Sequence, residues 1–425
     1  MKVNSISISE AQALDTVDSL RDFREKFIFP QHYGKDALYF TGNSLGLQPR
    51  SAIDVIKVEL EDWAKHGVEG HFRARNPWMH YHELFSEMLS EIVGGKPSEV
   101  VAMNALTVNL HLLLISFYNP QGSRKKIICE ARAFPSDRYA VLSQIKFHGG
   151  DPETDLIEIQ PRDGEELIRL EDVLSAIEET DDELATVMMG GVNYYTGQLH
   201  NLEAITNAAH KVGAKCGFDL AHAVGNVPLR LHDLGVDFAC WCTYKYLNSG
   251  PGSVGGIFVH EKHHNSEDLH RLEGWWGHDK ATRFKMDPEY ISMGTAESWQ
   301  MSNAPVFNMV IHLESLKIFK KAGGMGVLRE KSLRLTDYLE TTIKKVAENT
   351  GASLEIITPT SHEERGCQLS FVAHGYGRDL FDKLSDQGVI VDWREPAVIR
   401  MAPVPLYNSF EDIARFGLIL KDSLN

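Results

Sequence analysis

The sequence has no apolar run long enough to cross a bilayer. Its first residues, Met1-Lys-Val-Asn-Ser-Ile-Ser-Ile-Ser9, lack the apolar stretch of a secretory leader. Neither membrane insertion nor export is therefore expected. Positive charge is in short supply: 43 Lys and Arg stand against 59 Asp and Glu, leaving −16. Phosphate backbones and anionic lipid surfaces would be repelled, so no nucleic-acid or membrane partner is expected. The small basic clusters at Arg73/Arg75 and Lys125/Lys126 do not reverse that balance. Cysteine is sparse, with five residues at 129, 216, 240, 242 and 367, several inside apolar strand-like runs. An odd number in such places suits buried thiols in a reducing cytoplasm. Cys240 and Cys242 lie on the same side of a predicted strand but lack a nearby second ligand pair, so no metal site is expected. Internal repeats and low-complexity segments are missing.

What remains is an ordinary globular composition at a length, 425 residues, that suggests two domains. Residues 1–50 read as an N-terminal arm with a helix near 7–27, followed by Leu38-Tyr-Phe-Thr-Gly-Asn-Ser-Leu-Gly-Leu-Gln-Pro49. There Gly42 and Gly46 permit positive φ and close backbone approach. Ser51 caps a helix with Ile53, Ile56, Leu60 and Trp63 on one face. A second amphipathic stretch ends at Gly94-Gly95. From about residue 100 to 260 strand and helix signals alternate, implying a largely parallel, doubly wound sheet. A helix beginning near Thr107 offers free N–H groups and a hydroxyl to a phosphate. A long helical stretch over 304–348 leads into strands near 353–357, 368–372 and 397–402. The expected division is a large domain over 51–315 and a small α/β domain over 316–425, completed by the arm.

The chemistry concentrates at two strand ends. Phe238 to Cys242 reads as a buried strand, after which Lys245 sits between Tyr244 and Tyr246 ahead of a Gly/Ser/Pro loop. A lysine partly desolvated by aromatics yields a neutral amine that can attack a carbonyl. One strand earlier, Asp219-Leu-Ala-His222 puts a carboxylate at another strand end. A carboxylate that holds a pyridine nitrogen protonated and a lysine that carries the ring as an imine together point to pyridoxal phosphate.

These residues, with Thr41-Gly-Asn-Ser-Leu-Gly-Leu47, Ala133-Phe-Pro-Ser-Asp137, Tyr194-Tyr-Thr-Gly-Gln198, Gly274-Trp-Trp-Gly-His278, Thr282-Arg-Phe-Lys-Met286 and Arg400-Met-Ala-Pro-Val-Pro-Leu-Tyr-Asn-Ser-Phe410, resemble a fold type I pyridoxal-phosphate enzyme. Within that group they resemble the kynureninase family over nearly the whole chain. The resemblance implies an α/β fold type I architecture, a large domain with a mostly parallel sheet flanked by helices plus a smaller α/β domain. It also implies hydrolytic Cβ–Cγ cleavage of L-kynurenine or its 3-hydroxy form in tryptophan catabolism, pyridoxal 5′-phosphate as cofactor, and a cytoplasmic homodimer with shared sites. By the same resemblance Lys245 bears the cofactor and shuttles a proton, Asp219 pairs with the ring nitrogen and Tyr244 transfers a proton to carbon. Phe134 would stack on the ring, with Ser136, Asp137 and His222 close by. Leu106, Thr107, Tyr244 and Trp275 would reach the phosphate side, and Asn303 would cross from the other subunit. Arg400 would take the substrate α-carboxylate, its bidentate fork suiting that group. His71, Ser302 and Asn303 resemble the aryl-pocket set of animal-type members. Gly190 departs from the family at a position where some members carry serine. The alternative on the same frame, a cysteine desulfurase or selenocysteine lyase, needs a reactive cysteine in a mobile loop, whereas Cys367 opens a predicted strand.

Overall fold

The computed structural model describes residues 6–286 and 288–424. Seven strands build one sheet: β1 (Val100–Met103), β2 (Lys126–Glu130), β3 (Leu156–Ile159), β4 (Leu184–Gly190), β5 (Lys215–Asp219), β6 (Phe238–Cys242) and β7 (Gly255–Val259). Their spatial order is β1-β7-β6-β5-β4-β2-β3. β7 runs antiparallel to both β6 and β1, and the other pairings are parallel. Every residue of β4, β6 and β7 is buried, because helices cover both faces and no strand needs a solvent side. The period of two divides the apolar side chains between two core layers. Ile127, Met188, Phe238 and Cys240 face one layer; Ile128, Val187, Ala239 and Trp241 face the other.

The helices that bear on the site are α1 (Ile8–Thr16), α2 (Ala52–His66), α3 (Leu106–Phe117), α4 (Pro135–Phe147), α5 (Val306–Lys321), α6 (Gly324–Thr350) and α7 (Phe410–Leu424). A four-stranded sheet follows α6, with β8 (Leu354–Ile356), β9 (Leu369–Ala373), β10 (Asp392–Arg394) and β11 (Val398–Met401) in the order β8-β9-β11-β10. Its core draws in Ala11, Leu38 and Phe40 beside α6 and α7. The backbone of Leu38–Tyr39 also pairs in parallel with Val389–Ile390.

Several expectations need correcting. The arm helix stops at Thr16, because Asp18 turns inward to accept from Leu20 N–H at 3.0 Å and to pair with buried Lys331 at 2.7 Å. The stretch over 304–348 is two helices, broken where Gly323 and Gly324 take φ of 91° and 77°. From Ala133-Phe-Pro-Ser-Asp137 the sequence predicts a helix starting near Arg138, but it begins at Pro135, whose fixed φ suits a first helical turn. Neither Gly42 nor Gly46 has positive φ. Close approach does hold at Gly46, where a Cβ would stand 2.3 Å from the Lys245 carbonyl. Residues 1–5 of the arm lie outside the described residues.

The largest reversal is in α2. Ile53, Leu60 and Trp63 are 67, 46 and 56% exposed, while the opposite face buries Glu59 and Asp62. Glu59 accepts from Trp78 Nε1 at 2.9 Å and Tyr81 OH at 3.1 Å, and Asp62 pairs with Arg75 at 3.0 Å. The helix therefore turns Glu59 and Asp62 inward to satisfied partners and leaves Ile53, Leu60 and Trp63 outside, while Ile56 packs against the core edge.

Candidate active site

Parallel strands end together on one side of the sheet, and ligands sit beyond those ends. Here Glu130, Gly190 and Asp219 are the last residues of β2, β4 and β5, and Lys245 follows β6 by three residues. Together with Leu106, Thr107, Phe134, Ser136, Asp137, Tyr194, His222 and Tyr244 they line one cavity of about 200 Å³.

The lysine loop is braced from the arm. Gly46 donates its N–H to the Tyr244 carbonyl at 2.8 Å, an approach that a side chain at 46 would block. The Lys245 amine lies 5.9 Å from the centre of the Phe134 ring. Phe134 in turn meets Tyr194 edge-on at 5.2 Å. Tyr246, the other aromatic neighbour in sequence, is buried in the core.

Asp219 is held by the Ala221 N–H at 2.7 Å, and Asp137 accepts from Ser136 Oγ at 2.9 Å. Burial and the facing Asp219 carboxylate push Asp137 well above the usual carboxylate range. Burial raises Asp219 too. Two carboxyl groups this close share a proton unless a cation arrives between them. His222 is neutral: burial first, then the charges of Lys245 and Arg400, press it well below the usual histidine range. Its Nδ1 is buried without a partner. Burial, with the Cys242 thiol alongside, keeps the Tyr244 phenol protonated far above neutrality. α3 starts with no side-chain cap, and its first two residues, Leu106 and Thr107, line the cavity. An uncapped helix start is an anion site. The cavity thus offers an amine, a carboxylate pair seeking a cation, an aromatic wall and an anion cradle. A phosphorylated, protonated pyridine aldehyde fits each of these.

A larger cavity of about 810 Å³ shares Phe134 and Tyr194 with the first and is also lined by Arg132, Tyr195, Trp393 and Arg394. Arg400, on β11, is buried beside this junction. It donates to the Tyr194 carbonyl at 2.5 Å and to Ser44 Oγ at 3.2 Å, and it pairs with Asp392, its cross-strand partner on β10. The guanidinium is thus already paired within the chain. Its Nε remains buried and unsatisfied.

Five predicted site residues, Arg400 among them, stand apart from the lining of either cavity. Trp275 is 51% exposed, packed on Trp276 and Phe284. Ser302 and Asn303 are exposed. His71 hydrogen-bonds the Val68 carbonyl at 2.9 Å and meets Trp78 edge-on. Conversely, the sequence reading missed Glu130, His200 and Asp392. Glu130 and Asp392 are acidic residues in strands, a signal available only once strand neighbours are known. Cys367 is fully buried, and burial pushes its thiol up to about 12. All five cysteines are buried and unpaired with one another.

Comparison with known proteins places the chain in a family. The family model described as the kynureninase C-terminal domain matches residues 328–420. A kynureninase of Flavobacterium psychrophilum is 55% identical over 414 residues, covering 97% of each chain. One from Myxococcus xanthus is 53% identical over 411 residues, covering 96% of each. Among solved structures, the cystine C–S lyase C-DES in complex with cysteine persulfide aligns with a TM-score of 0.77 at 17% identity, over 91% of this chain and 97% of that one. A cysteine desulfurase from Thermococcus onnurineus aligns with a TM-score of 0.76 at 17% identity, over 94% and 97%. These two likenesses are of fold.

Proposed function

Because this chain belongs to the kynureninase family, we propose that it cleaves the Cβ–Cγ bond of L-kynurenine, or of its 3-hydroxy form, by hydrolysis, with pyridoxal 5′-phosphate as cofactor. The products are L-alanine and anthranilate or 3-hydroxyanthranilate. The fold is that of the fold type I pyridoxal-phosphate enzymes. The observation that carries the reading is the convergence of Lys245, Asp219 and the open start of α3 on one cavity.

The cofactor, when bound, supplies an electron sink conjugated to the substrate's amino group. The other tasks fall to the chain. Lys245 would hold the cofactor, and its amine would move a proton between substrate carbons. Asp219, seconded by Asp137, would hold the ring nitrogen, and Phe134 and His222 would bound the ring. Leu106 and Thr107 would offer backbone N–H groups to the phosphate. Arg400 binds the α-carboxylate, and Tyr244, kept protonated, donates to carbon as the Cβ–Cγ bond parts after water adds at the γ-carbonyl. The desulfurase reading fails on chemistry: Cys367 is neither exposed nor ionised.

Trp275, Ser302, Asn303 and His71 stand outside the cavity of one protomer, which supports a homodimer whose second copy completes the aryl and phosphate sides. The outward apolar stripe of α2, extended by Phe307 with its ring 6.0 Å from that of Trp63, supports the same reading. Trp63→Glu is expected to shift the protein toward monomer and to lower activity in parallel; light scattering with size-exclusion chromatography reads the first. Unchanged mass would remove α2 from the interface. A cytoplasmic location accords with the buried thiols, and a place in tryptophan catabolism and NAD biosynthesis follows from the proposed substrate and product. The division into arm 1–50, large domain 51–315 and small domain 316–425 accords with the separate core around β8–β11.

The test of the reaction is to load the protein with pyridoxal phosphate and supply L-kynurenine and 3-hydroxykynurenine separately. Alanine released in equal amount to the aryl product is expected, and the two rates give the preference. Cofactor-loaded protein that yields no aryl product from either would end the proposal.

A further inference from the structure

One buried charge beside the cavity has no part in the scheme above. Glu130, at the end of β2, is 3% exposed. Asn193 Nδ2 donates to its Oε2 at 2.8 Å, and His200 Nε2 lies 3.2 Å from the same oxygen. The other oxygen occupies the space above Gly190: a Cβ at that position would stand 2.6 Å from Glu130 Oε1. Gly190 is the register partner of Asp219. The missing side chain at 190 therefore lets the Glu130 carboxylate reach over the end of β4 toward Asp219, and both line the same cavity. The departure at Gly190 noted in the sequence thus has a physical counterpart.

Glu130 is poorly placed to move protons. Burial works against its charge, but the donors from His200, Asn193 and the Gly190 N–H outweigh that and hold it below the usual carboxylate range. A carboxylate so engaged has little basicity left to offer. What it does offer is a fixed negative charge in a low-dielectric setting, where charges act at strength over several ångströms.

We propose that Glu130, oriented by His200 and Asn193, is a positioning residue that stands behind Asp219 and keeps the cofactor's ring nitrogen protonated. This rests on the cofactor reading above. The other groups facing Asp219 are Asp137 from α4, Lys245 and Tyr244 after β6, the Cys240 and Cys242 thiols of β6, and His222. Asp137 and Asp219 each have one donor within the chain, Ser136 Oγ and the Ala221 N–H, whereas Glu130 is held by His200, Asn193 and the Gly190 N–H together.

The experiment uses enzyme loaded with pyridoxal phosphate labelled with nitrogen-15 in the ring. The wild type, Glu130→Gln and Glu130→Asp are compared by the ring-nitrogen chemical shift and by the pH midpoint of the cofactor's visible absorbance. In Glu130→Gln the nitrogen signal should move toward the neutral-pyridine range, and the midpoint should rise by about one pH unit, because a ring without its positive charge repels the neighbouring proton less. Glu130→Asp, which keeps the charge, should recover most of both effects. A folded, loaded Glu130→Gln with wild-type shift and midpoint would overturn the proposal. Loss of the folded state in both variants would assign Glu130 to architecture and overturn it as well. A wild type that takes up no cofactor would instead sink the cofactor reading, and this inference with it.

Discussion

Lys245→Ala is expected to lower turnover by at least about 10³-fold, the range lost when a positioned acid–base group is removed. In the proposed reaction Lys245 is asked to do two things, to anchor the cofactor and to carry a proton between substrate carbons, and no second amine lines the cavity among the described residues. His222 cannot substitute, because burial, with the charges of Arg400 and Arg394, keeps it neutral and weakly basic without any help from Lys245. Tyr244 cannot either, since its phenol holds its proton far above neutral pH. The fold should survive, because the lysine side chain is only partly buried and the loop is held through backbone groups at Tyr244, Lys245 and Asn248. The measurement is alanine and aryl product released per active chain, with a melting curve alongside. A small primary amine added to the assay should restore part of the rate. Activity within tenfold of wild type would remove Lys245 from the mechanism.

Arg400→Gln is expected to reduce kcat/KM by about 10²–10³-fold, the scale of losing a buried charge-assisted pair. The guanidinium sits where the arm, the Tyr194 loop and the small sheet meet, through Ser44, the Tyr194 carbonyl and Asp392. Its loss costs stability too, since Asp392 would keep a charge with only Arg394 and Ser44 to meet it. Adding Asp392→Asn should therefore recover melting temperature in the double variant without recovering kcat/KM. Recovery of both would mean that Arg400 serves the fold and not the substrate.

Much of the central architecture was legible because the sheet strands are apolar on both faces and glycines punctuate their ends. The strand over 238–242 and the residues Asp219 and Lys245 at strand ends follow from pattern alone. The face of α2 was not legible in the same way. A 3-4-3 apolar spacing predicts a buried stripe, but Glu59 found Trp78 and Tyr81, and Asp62 found Arg75, so burial went to the satisfied carboxylates instead. Glu130 was invisible for a related reason. Its significance depends on a neighbour in space, Gly190, sixty residues later in the chain. Asp392 became readable only through its cross-strand register with Arg400. Patterns along the chain report what one element does; they do not report which charges two elements bring together.

The row of strand ends that carries Glu130, Gly190 and Asp219 acts as a ruler. Adjacent strands are spaced by about 4.8 Å because backbone hydrogen bonds fix that pitch. Loops around the site can lengthen, shorten or drift without altering the interval between charges mounted on the sheet. Change in their mutual influence must come through which side chains occupy the marks. Gly190, midway between two acidic marks, is then a gap through which one carboxylate can be felt by the other, and a side chain introduced there would act as a shutter.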